Sequence, residues 1–427
     1  MTPRTPSGPA DADSVPVRYR RAVDFLFPRT TTIKFGLDRT ERLLERLGNP
    51  HLVMPTIHIG GTNGKGSVTT LVAAALSAAG WRVGVYTSPH LVDFRERITV
   101  AGVPISEAAV ATWTEVLHDE VEALGATFFE ASTAIAFADL AARGAEIAVI
   151  EVGLGGRLDS TNVVRPVASG VTKIAMDHQK YLGDTLEAIA REKAWIAKPG
   201  VPFVIGERDP EVVAVLKEEA RRAVRAVDPA GRADLRVLPP EYEWRGPLGL
   251  IGAHQRRNAA VAHGILMALP PRFRPNAEAV EAGFATAFIP GRLDRRGRWL
   301  FDVAHNPDGV RALVQALEDL APPRPLTALV SILGDKEWPE MLVGLDRVVD
   351  RGVLTVAPTA ASRRWDLEWL ARWLDRPDRP PARASWKLIE DFPTALAAVQ
   401  EGAGTVLVTG SFHTVGDVMA AIGLTPV

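Results

Sequence analysis

The 427-residue sequence contains no cysteine, few tyrosines and methionines, and almost no excess of either charge, with 49 Lys and Arg against 51 Asp and Glu. The lack of cysteine excludes a disulfide framework, a thiolate nucleophile, cysteine-ligated zinc and a cysteine-bound iron–sulfur cluster. A formal net charge of -2 argues against a protein that acts by coating nucleic acid or anionic lipid. Catalysis, if present, must use other side chains or a bound cofactor.

Long hydrophobic runs are also missing. The most apolar helix-length stretch, Leu71–Ala79, is interrupted by Ser77 and is far shorter than the roughly 20 residues that a membrane span needs. Residues 1–17 are rich in Pro, Ala, Ser and Asp and lack the apolar core of a secretion signal, which predicts a loose N-terminal tail. We therefore expect a soluble cytoplasmic protein with neither a membrane nor a nucleic acid as partner.

Short apolar runs alternate with stretches rich in Ala, Leu, Glu and Arg, which is typical of parallel sheets built from βαβ units. The predicted strands of a first series are Pro55–Gly60, Arg82–Thr87, Ile147–Val152, Val167–Ile174 and Pro202–Gly206, and its clearest helices are Ser67–Ala79, Thr133–Arg143 and Thr185–Ala197. A second series has strands at Trp299–Val303, Leu326–Ile332, Val353–Val356, Trp386–Ile389 and Thr405–Val408, with helices at Asp308–Leu320, Asp366–Leu374 and Phe392–Gln400. The basic, glycine-bracketed segment 289–298 separates the two series, which predicts two α/β domains, 18–293 and 294–427.

A glycine-rich segment joins the first predicted strand to an apolar helix. Its residues are Gly60, Gly61, Thr62, Asn63, Gly64, Lys65, Gly66 and Ser67. Glycines allow the backbone to turn tightly and aim N–H groups at an anion, and Lys65 adds positive charge for the β- and γ-phosphates of a nucleotide. The strict P-loop pattern places Ser or Thr directly after the lysine, whereas here Gly66 intervenes and the hydroxyl comes at Ser67. The alternative is a ligand-free turn, but the strand–loop–helix context and the lysine favour nucleotide binding.

Two further polar residues follow predicted strands of the first series. Glu151 ends the apolar run Ile147–Ile150, where ligands gather in open α/β sheets, and a P-loop protein often has its metal-directed carboxylate there. His178 follows Asp177 shortly after the strand Val167–Ile174. Each residue also has an ordinary structural interpretation, as a strand-end cap or a core histidine.

Several segments together resemble the Mur ligase superfamily and, within it, the folylpolyglutamate synthase/dihydrofolate synthase family. They are Gly61–Lys65, Ser88–Leu91, Phe94–Ile98, Phe129-Glu130, Glu151–Asp159, Asp177-His178, Tyr181–Thr185, Arg191–Ala194, Gly252–Gln255, Pro290–Arg292, Asp302–Pro307 and Gly410-Ser411. The resemblance implies a P-loop Mur-ligase-like ATPase domain with a parallel-rich central sheet, followed by a smaller Rossmann-like α/β domain. It also implies an ATP-dependent ligase that phosphorylates a folate carboxylate and joins L-glutamate to it, and that converts dihydropteroate to dihydrofolate. Such chemistry requires metal and cationic groups around phosphates but no covalent nucleophile.

The same resemblance assigns roles to individual residues. The implied Mg²⁺ ligands are Ser88, Glu151 and His178, and the implied catalytic residues are Lys65, His178 and Lys193, the last being carbamylated in the family. The implied ATP contacts beyond the P-loop are Asn258, Arg292, Asp302 and His305. The implied substrate contacts are Phe35, Gly36, Leu37, Thr127, Phe128, Phe129, Glu130, Leu158, Asp159 and Ser160. ATP and two Mg²⁺ ions are the expected cofactors, with room for a monovalent cation, and the expected form is a monomer.

Two other functions remain open at this point. A Mur ligase of peptidoglycan synthesis is the nearest, although the segments Ser88–Leu91 and Phe94–Arg97 count against it. A P-loop switch or nucleotide-binding regulator is the other. The sequence has no Asn-Lys-x-Asp guanine signature, since Lys173 leads to Asp177 at the wrong spacing, and no repeat surface to receive a switch signal.

Overall fold

Two parallel-rich sheets organise the chain. The computed structural model describes residues 14–31, 34–376 and 383–426. The chain divides into a first compact unit of residues up to Gly249 together with Arg256–Ala287, and a second unit of Leu250–Gln255 together with Phe288–Val427. Each unit contains one of the sheets.

The first unit has an eight-stranded sheet in the order β4-β3-β2-β5-β1-β6-β7-β8. The six strands from β2 to β8 in this order run parallel, and β3 and β4 are antiparallel additions at one edge. The strands are β1 (Thr56–Gly60), β2 (Val83–Tyr86), β3 (Ile98–Val100), β4 (Val103–Pro104), β5 (Ile147–Glu151), β6 (Ala168–Val171), β7 (Pro202–Ile205) and β8 (Asp234–Val237). Strands β1, β5 and β6 are buried along their whole length, as expected for strands covered on both faces.

Within the described part of the chain, ten α-helices accompany this sheet. They are α1 (Val15–Leu26), α2 (Asp38–Arg46), α3 (Lys65–Ala78), α4 (Glu107–Leu124), α5 (Phe128–Ala142), α6 (Gln179–Leu182), α7 (Leu186–Ala194), α8 (Pro210–Val227), α9 (Ala253–Ala268) and α10 (Ala277–Thr286). Short 3₁₀ turns lie at Phe27–Thr31, Pro50–Leu52, Phe94–Arg97, Ser160–Val163 and Pro271–Phe273. Over the described parts of the chain, every helix is too short or too polar to cross a lipid bilayer.

The second unit has a six-stranded sheet in the order β13-β12-β11-β14-β10-β9, parallel except for β9. Its strands are β9 (Asp294–Arg296), β10 (Trp299–Phe301), β11 (Leu326–Val330), β12 (Arg351–Leu354), β13 (Ser385–Leu388) and β14 (Thr405–Thr409). Its helices are α11 (Pro307–Leu320), α12 (Trp338–Asp346), α13 (Leu367–Leu374), α14 (Phe392–Gln400) and α15 (Phe412–Ala421), with a 3₁₀ segment at Pro358–Arg363. The expected βα alternation is therefore present in both units.

Two predicted boundaries near helix starts are wrong. Residues 1–13 of the predicted tail lie outside the described residues, but the helix α1 begins at Val15, inside the tail predicted to extend to residue 17. Helix α5 begins at Phe128 and not at Thr133, because Thr127 and Glu130 form a capping box that satisfies the first free N–H groups of the helix. The apolar pattern predicted the helix but not its start.

The unit boundary differs from the predicted division after residue 293. Val303 N donates to Gly291 O (2.9 Å) and Leu293 N donates to the Asp302 carboxylate (3.0 Å), so residues before 294 are hydrogen-bonded to the second sheet's own elements. The second unit also takes Leu250–Gln255 from the middle of the first. Basic composition around residues 289–298 marked the connection but could not show which unit holds it.

Helix α3 packs closely against α10. Gly283 of α10 is buried where the two helices meet, and a Cβ added to it would lie 2.5 Å from the backbone nitrogen of Ala75 in α3. Only glycine permits this approach, since the obstructing atoms are helical backbone that cannot rotate away. The packing fixes α3, whose first residue is the P-loop lysine Lys65.

We expect Gly283→Ala to lower the free energy of unfolding by about 1–3 kcal/mol, because overpacking forces the two helices apart. Urea denaturation followed by circular dichroism measures the change. Glu281→Ala, on the exposed side of the same helix, is the control and should change stability by less than about 0.5 kcal/mol. Equal stability of Gly283→Ala and the parent protein would contradict the close helix packing.

Candidate active site

The P-loop follows β1 and runs into α3 at the carboxyl edge of the first sheet. Gly61 and Gly64 have φ values of 135° and 93°, a region that side chains other than glycine rarely adopt. A Cβ on Gly61 would collide with the Thr172 hydroxyl, and one on Gly64 would collide with the Asn258 amide. Both glycines are therefore required by conformation and by space, and Asn258 of α9 lies directly against the loop.

Hydrogen bonds to the segment after β6 hold the loop in place. Thr62 N and Asn63 N both donate to Lys173 O, at 2.8 and 3.3 Å, and the Thr172 hydroxyl donates to Asn63 O at 2.8 Å. Lys65 Nζ donates to Thr62 O at 3.1 Å, so the lysine folds back over the loop. The result is a preformed turn at the N-terminus of a 14-residue helix, a geometry that binds phosphate.

Glu151 lies beside this helix start. Parallel pairing of β5 with β1 and β2 puts its carboxylate next to Ser88, whose backbone N lies 3.4 Å from Glu151 Oε2. A Cβ on Gly66 would lie 3.9 Å from both Glu151 carboxylate oxygens. The residue after the P-loop lysine thus faces the carboxylate. Hydroxyl and carboxylate oxygens beside a phosphate loop fit Mg²⁺, which commonly takes one or two carboxylates together with phosphate oxygens and water.

His178 occupies a different local setting. It has a left-handed backbone (φ 52°) immediately before α6, and its Nε2 lies 3.9 Å from Asp177 Oδ2. Among the described residues, no group of three or more His, Asp or Glu side chains is arranged to hold a metal ion without other ligands. The structure therefore brings Ser88 and Glu151 together with the P-loop, while the role of His178 as a ligand stays a prediction.

Lys193, near the end of α7, is 4% exposed. Burial, with a smaller contribution from the positive charge of Lys65, lowers the pKa of its amine to about 7, while Asp177 and Asp159 oppose the shift. The loop after β5 lies close to it, since a Cβ on Gly156 would be 3.0 Å from the Lys193 α-carbon. A solvated helix face, the default for a lysine in a charged helix, is excluded for this residue.

Phe129 is half-buried in the first turn of α5. Its ring stacks on Tyr86 of β2, with centroids 6.1 Å apart and planes 24° from parallel. The ring also lies against Gly153, where an added Cβ would collide with it. The ring is thus held in place by core residues while retaining some exposure, which suits a platform for a flat ligand.

Three of the predicted substrate residues next to Phe129 have structural partners instead. Thr127 and Glu130 form the capping box of α5, and Glu130 is also ion-paired with Arg39 Nε at 2.8 Å. Phe128 is 6% exposed and lies under the guanidinium of Arg97, 5.1 Å from its ring centroid. These contacts explain the three residues without a ligand, and their predicted substrate role remains a prediction.

The remaining predicted substrate residues divide by exposure. Phe35 is 47% exposed and meets the ring of Tyr181 edge-on at 6.2 Å, and Leu158 is 37% exposed. Gly36 and Leu37 lead into α2, for which Leu37 is the N-cap. The exposed apolar rings are candidates for contact with a flat ligand, and sequence patterns alone missed Tyr181 in this role.

Asp159 and Ser160 lie in the buried turn after the Gly153–Gly156 loop. Asp159 Oδ2 accepts a hydrogen bond from Leu154 N at 2.7 Å, and Oδ1 accepts one from Thr161 N at 3.0 Å. Burial raises the pKa of this carboxyl group, and these hydrogen bonds oppose the rise. Asp159 therefore fixes the loop through hydrogen bonds to backbone N–H groups.

In the second unit, two predicted residues, Arg292 and His305, lie against one aromatic ring, and a third, Asp302, lies close to them in sequence. The Arg292 guanidinium lies 5.3 Å from the centroid of Phe412, and the His305 imidazole lies 5.5 Å from it. Asp302 follows β10 and accepts hydrogen bonds from Leu293 N and Ala304 N. Burial raises the pKa of its carboxyl group, and the positive charge of Arg292 partly opposes this rise. Phe412, the first residue of α15, was not predicted. Its position directly after Gly410-Ser411, at the carboxyl end of β14, was the available signal.

Comparison with known proteins agrees with this geometry. Residues 59–266 match the family model described as Mur ligase middle domain, and residues 291–412 match Mur ligase, glutamate ligase domain. The Dihydrofolate synthase/folylpolyglutamate synthase of Mycobacterium tuberculosis is 34% identical over 99% of each chain. A probable bifunctional folylpolyglutamate synthase/dihydropteroate synthase of Haloferax volcanii is 33% identical over 94% of this chain, which spans only 50% of that longer protein.

Two solved structures are similar over nearly the whole chain. The Escherichia coli FolC complex with DHPP and ADP has a TM-score of 0.80 at 31% identity and covers 97% of this chain and 99% of that one. A bifunctional folylpolyglutamate synthase/dihydrofolate synthase with Mn, AMPPNP and L-glutamate bound has a TM-score of 0.78 at 30% identity and covers 99% and 100%.

The two matched domains, the P-loop sheet and the second α/β unit define an ATP-dependent ligase of the Mur ligase type, using a divalent metal. The predicted fold class is confirmed. Within that superfamily, the chain belongs to the folylpolyglutamate synthase/dihydrofolate synthase family.

The lowered pKa of Lys193 predicts a pH-dependent stability. Between about pH 7 and the ordinary lysine value of 10.5, the unfolded chain holds a proton that the folded chain has lost. The contribution of Lys193 to stability therefore rises with pH in that window, by up to about 1.4 kcal/mol per pH unit. Urea denaturation of the parent and of Lys193→Met in CO₂-free buffer at pH 7 and pH 9 measures it. The free energy of unfolding of the parent, relative to that of the variant, should be larger at pH 9 than at pH 7.

The matched control is Lys387→Met, which removes an exposed lysine on β13. The difference in unfolding free energy between Lys387→Met and the parent should be the same at pH 7 and pH 9. A Lys193→Met difference that is the same at both pH values would show that the amine is not desolvated as described.

Proposed function

We propose that the protein phosphorylates the carboxylate of a reduced folate with ATP and joins L-glutamate to it, and that it also converts dihydropteroate and L-glutamate to dihydrofolate. The observation that carries the proposal is the P-loop with Lys65, beside the Ser88–Glu151 pair, at one edge of one sheet. The solved relatives hold ADP with DHPP, or AMPPNP with Mn and L-glutamate, which supports the same substrates here.

The chemistry follows from the poor electrophilicity of a carboxylate. A carboxylate oxygen attacks the γ-phosphorus of ATP and ADP leaves, which gives an acyl phosphate; the glutamate amine then attacks its carbonyl carbon, and inorganic phosphate leaves as the amide forms. Lys65 and the loop N–H groups would bind the phosphates and offset their charge. Ser88 and Glu151, with His178, would hold Mg²⁺, which supplies charge neutralisation at the transferring phosphoryl group.

Further nucleotide contacts are proposed for both units. The first unit supplies Asn258, which lies against Gly64 of the loop. The second supplies Arg292 and His305, grouped around the Phe412 ring, and Asp302, whose carboxylate orders the turn before them. Two Mg²⁺ ions and a monovalent cation belong to the proposal as well. We also propose that the active protein is a monomer. Its proposed location is the cytoplasm, where ATP and L-glutamate are supplied.

For the pterin and aminobenzoyl rings, the proposal assigns Phe129 and Phe35 as stacking partners. Phe129 is fixed by Tyr86 and Gly153, and Phe35 is exposed beside Tyr181. Gly36, Leu37, Leu158 and Ser160 would line the approach. Thr127, Phe128, Glu130 and Asp159 would contribute mainly by holding these groups, since their polar atoms or rings already have partners.

We also propose that Lys193 is carbamylated. A pKa of about 7 leaves a large fraction of the amine neutral at physiological pH, and only the neutral amine attacks CO₂. The nitrogen forms a bond to the CO₂ carbon and releases a proton, which leaves a carbamate with one negative charge. That charge would lie near Lys65, whose positive charge disfavours the protonated lysine.

With ¹³C-bicarbonate, we expect a carbamate carbon resonance from the parent protein that Lys193→Ala lacks. Lys193→Ala should also lose at least about 100-fold in ligation rate, as expected for the loss of a charged group that stabilises a transition state, and added bicarbonate should not restore it. The exposed-lysine variant Lys387→Met should keep both the signal and the rate. Normal turnover by Lys193→Ala would remove the proposed role.

The substrate assignment is tested by parallel assays of ADP release and product mass with L-glutamate and one acceptor each. Tetrahydrofolate and dihydropteroate should both be glutamylated, and a UDP-muramoyl acceptor should not. ATP hydrolysis should require an acceptor, unlike that of a nucleotide-driven switch. Turnover of the muramoyl compound with failure of both pterins would falsify the folate assignment. In the same assay, Lys65→Ala should abolish ADP release.

A further inference from the structure

A fully buried histidine lies in the middle of the first sheet. His58 is in β1, 0% exposed, between Ile150 of β5 and Ser169 of β6. Its Nε2 lies 2.8 Å from the Thr161 hydroxyl oxygen, whereas its Nδ1 is enclosed and has no hydrogen-bond partner among the residues that the structure describes. Burying an imidazole with only one of its nitrogens hydrogen-bonded costs folding free energy, so a functional reason for this histidine is worth seeking.

The partner of His58 is itself bonded to a buried carboxylate. The Thr161 hydroxyl is hydrogen-bonded to Asp159 Oδ1. Asp159 Oδ1 also accepts a hydrogen bond from Thr161 N at 3.0 Å. Asp159 Oδ2 accepts Leu154 N at 2.7 Å. His58, Thr161 and Asp159 thus form a continuous buried chain of hydrogen bonds, here called the relay, from the sheet to the loop after β5.

The end of the relay is the Gly153–Gly156 loop, which lies between two residues of the proposed site. Gly153 presses on the ring of Phe129, and Gly156 lies against α7, where an added Cβ would be 2.7 Å from Glu192 O and 3.0 Å from the Lys193 α-carbon. A displacement of this loop would therefore move the surfaces against which both Phe129 and Lys193 are packed.

The direction of the hydrogen bonds in the relay follows from counting protons. The Thr161 hydroxyl has one proton, and Asp159, held by backbone N–H donors, takes it as an acceptor. Thr161 must then accept a proton from His58 Nε2. The opposite direction would move the ring proton to Nδ1, where a buried N–H would have no acceptor.

The surroundings keep this arrangement. Burial, with a smaller contribution from Lys198, lowers the pKa of His58 to about 3, so the ring carries a single proton at neutral pH. Charged or titratable groups near Asp159 include Lys193 of α7 and Tyr86 of β2. Neither replaces the hydrogen bond that Thr161 gives.

We propose that His58 is a positioning residue for folate ligation, which donates its Nε2 proton to Thr161 and thereby fixes, through Asp159, the Gly153–Gly156 loop against Phe129 and Lys193. The inference rests on the proposed function, because its kinetic measurement is the glutamylation of a folate. His58 touches neither the P-loop nor the Ser88–Glu151 pair in any described contact.

The test uses three substitutions that separate the two ring nitrogens. The amide nitrogen of His58→Gln can take the place of Nε2 and donate to Thr161, that of His58→Asn corresponds to Nδ1, and His58→Leu donates nothing. We expect His58→Gln to keep the parent KM for tetrahydrofolate, and His58→Asn and His58→Leu to raise it about five- to tenfold, as for a lost hydrogen bond. The KM for ATP should change by less than about twofold, because the P-loop is held by other hydrogen bonds.

A double-mutant cycle tests whether the effect passes through the relay. Thr161→Val should raise the folate KM as His58→Leu does, and the two together should do no more than either alone. The control is His51→Leu, which removes another buried histidine, one that packs on Phe137 and has no described contact with the relay. It should change stability but not the folate KM.

A spectroscopic measurement covers the case in which the His58 variants do not fold. In the parent protein labelled with ¹⁵N-histidine, His58 should show the Nε2–H tautomer at pH 6 to 8. The Nδ1–H tautomer, or parent KM values in a folded His58→Leu variant, would overturn the proposal. If the parent glutamylates no folate, the proposed function fails, and the tautomer still decides whether the relay exists.

Discussion

The hydrogen bonds between the P-loop and the segment after β6 are the constraint on which the rest of the site depends. Lys173 O accepts hydrogen bonds from both Thr62 N and Asn63 N, because β1 and β6 are neighbours in one parallel sheet. With the loop fixed there, Glu151 at the end of β5, on the other side of β1, falls beside the helix start. Sheet order, set by burial of apolar strands, therefore places the P-loop and the carboxylate that we propose as a metal ligand at the same edge of the sheet.

Much of this was open to prediction from sequence, and the reason is physical. Buried parallel strands such as Ile147–Glu151 read as apolar runs, and the carboxyl ends of neighbouring parallel strands share an edge, so the polar residue after each run falls in the same region. The start of α5 and the packing of Phe412 were not predictable in this way. The Thr127 and Glu130 pair has the Thr-x-x-Glu spacing of a capping box, a signal separate from hydrophobic periodicity, whereas ring contacts depend on tertiary packing. The His58–Thr161 contact joins residues 103 positions apart, which no local pattern encodes.

Buried ionisable groups occur in both units, and their surroundings act on them in different ways. Asp159 and Asp302 each accept backbone N–H groups of a neighbouring turn, so their burial orders loops. Lys193 is buried with its pKa lowered and with Lys65 nearby, so its charge is disfavoured. Hydrogen bonds thus tie the two buried aspartates to ordered turns, whereas burial of the lysine favours its neutral amine. The proposed roles follow this difference: the aspartates hold turns, and Lys193 is the residue proposed to react with CO₂.

The discontinuity of the two units has a consequence for dissecting the protein. The chain leaves the first unit after Gly249, returns at Arg256 and leaves again after Ala287. No single cut in the polypeptide yields both units intact, since a fragment ending at residue 287 retains Leu250–Gln255, and one starting at residue 288 lacks it. Exchange of the second unit with that of a relative would have to transfer this six-residue piece as well.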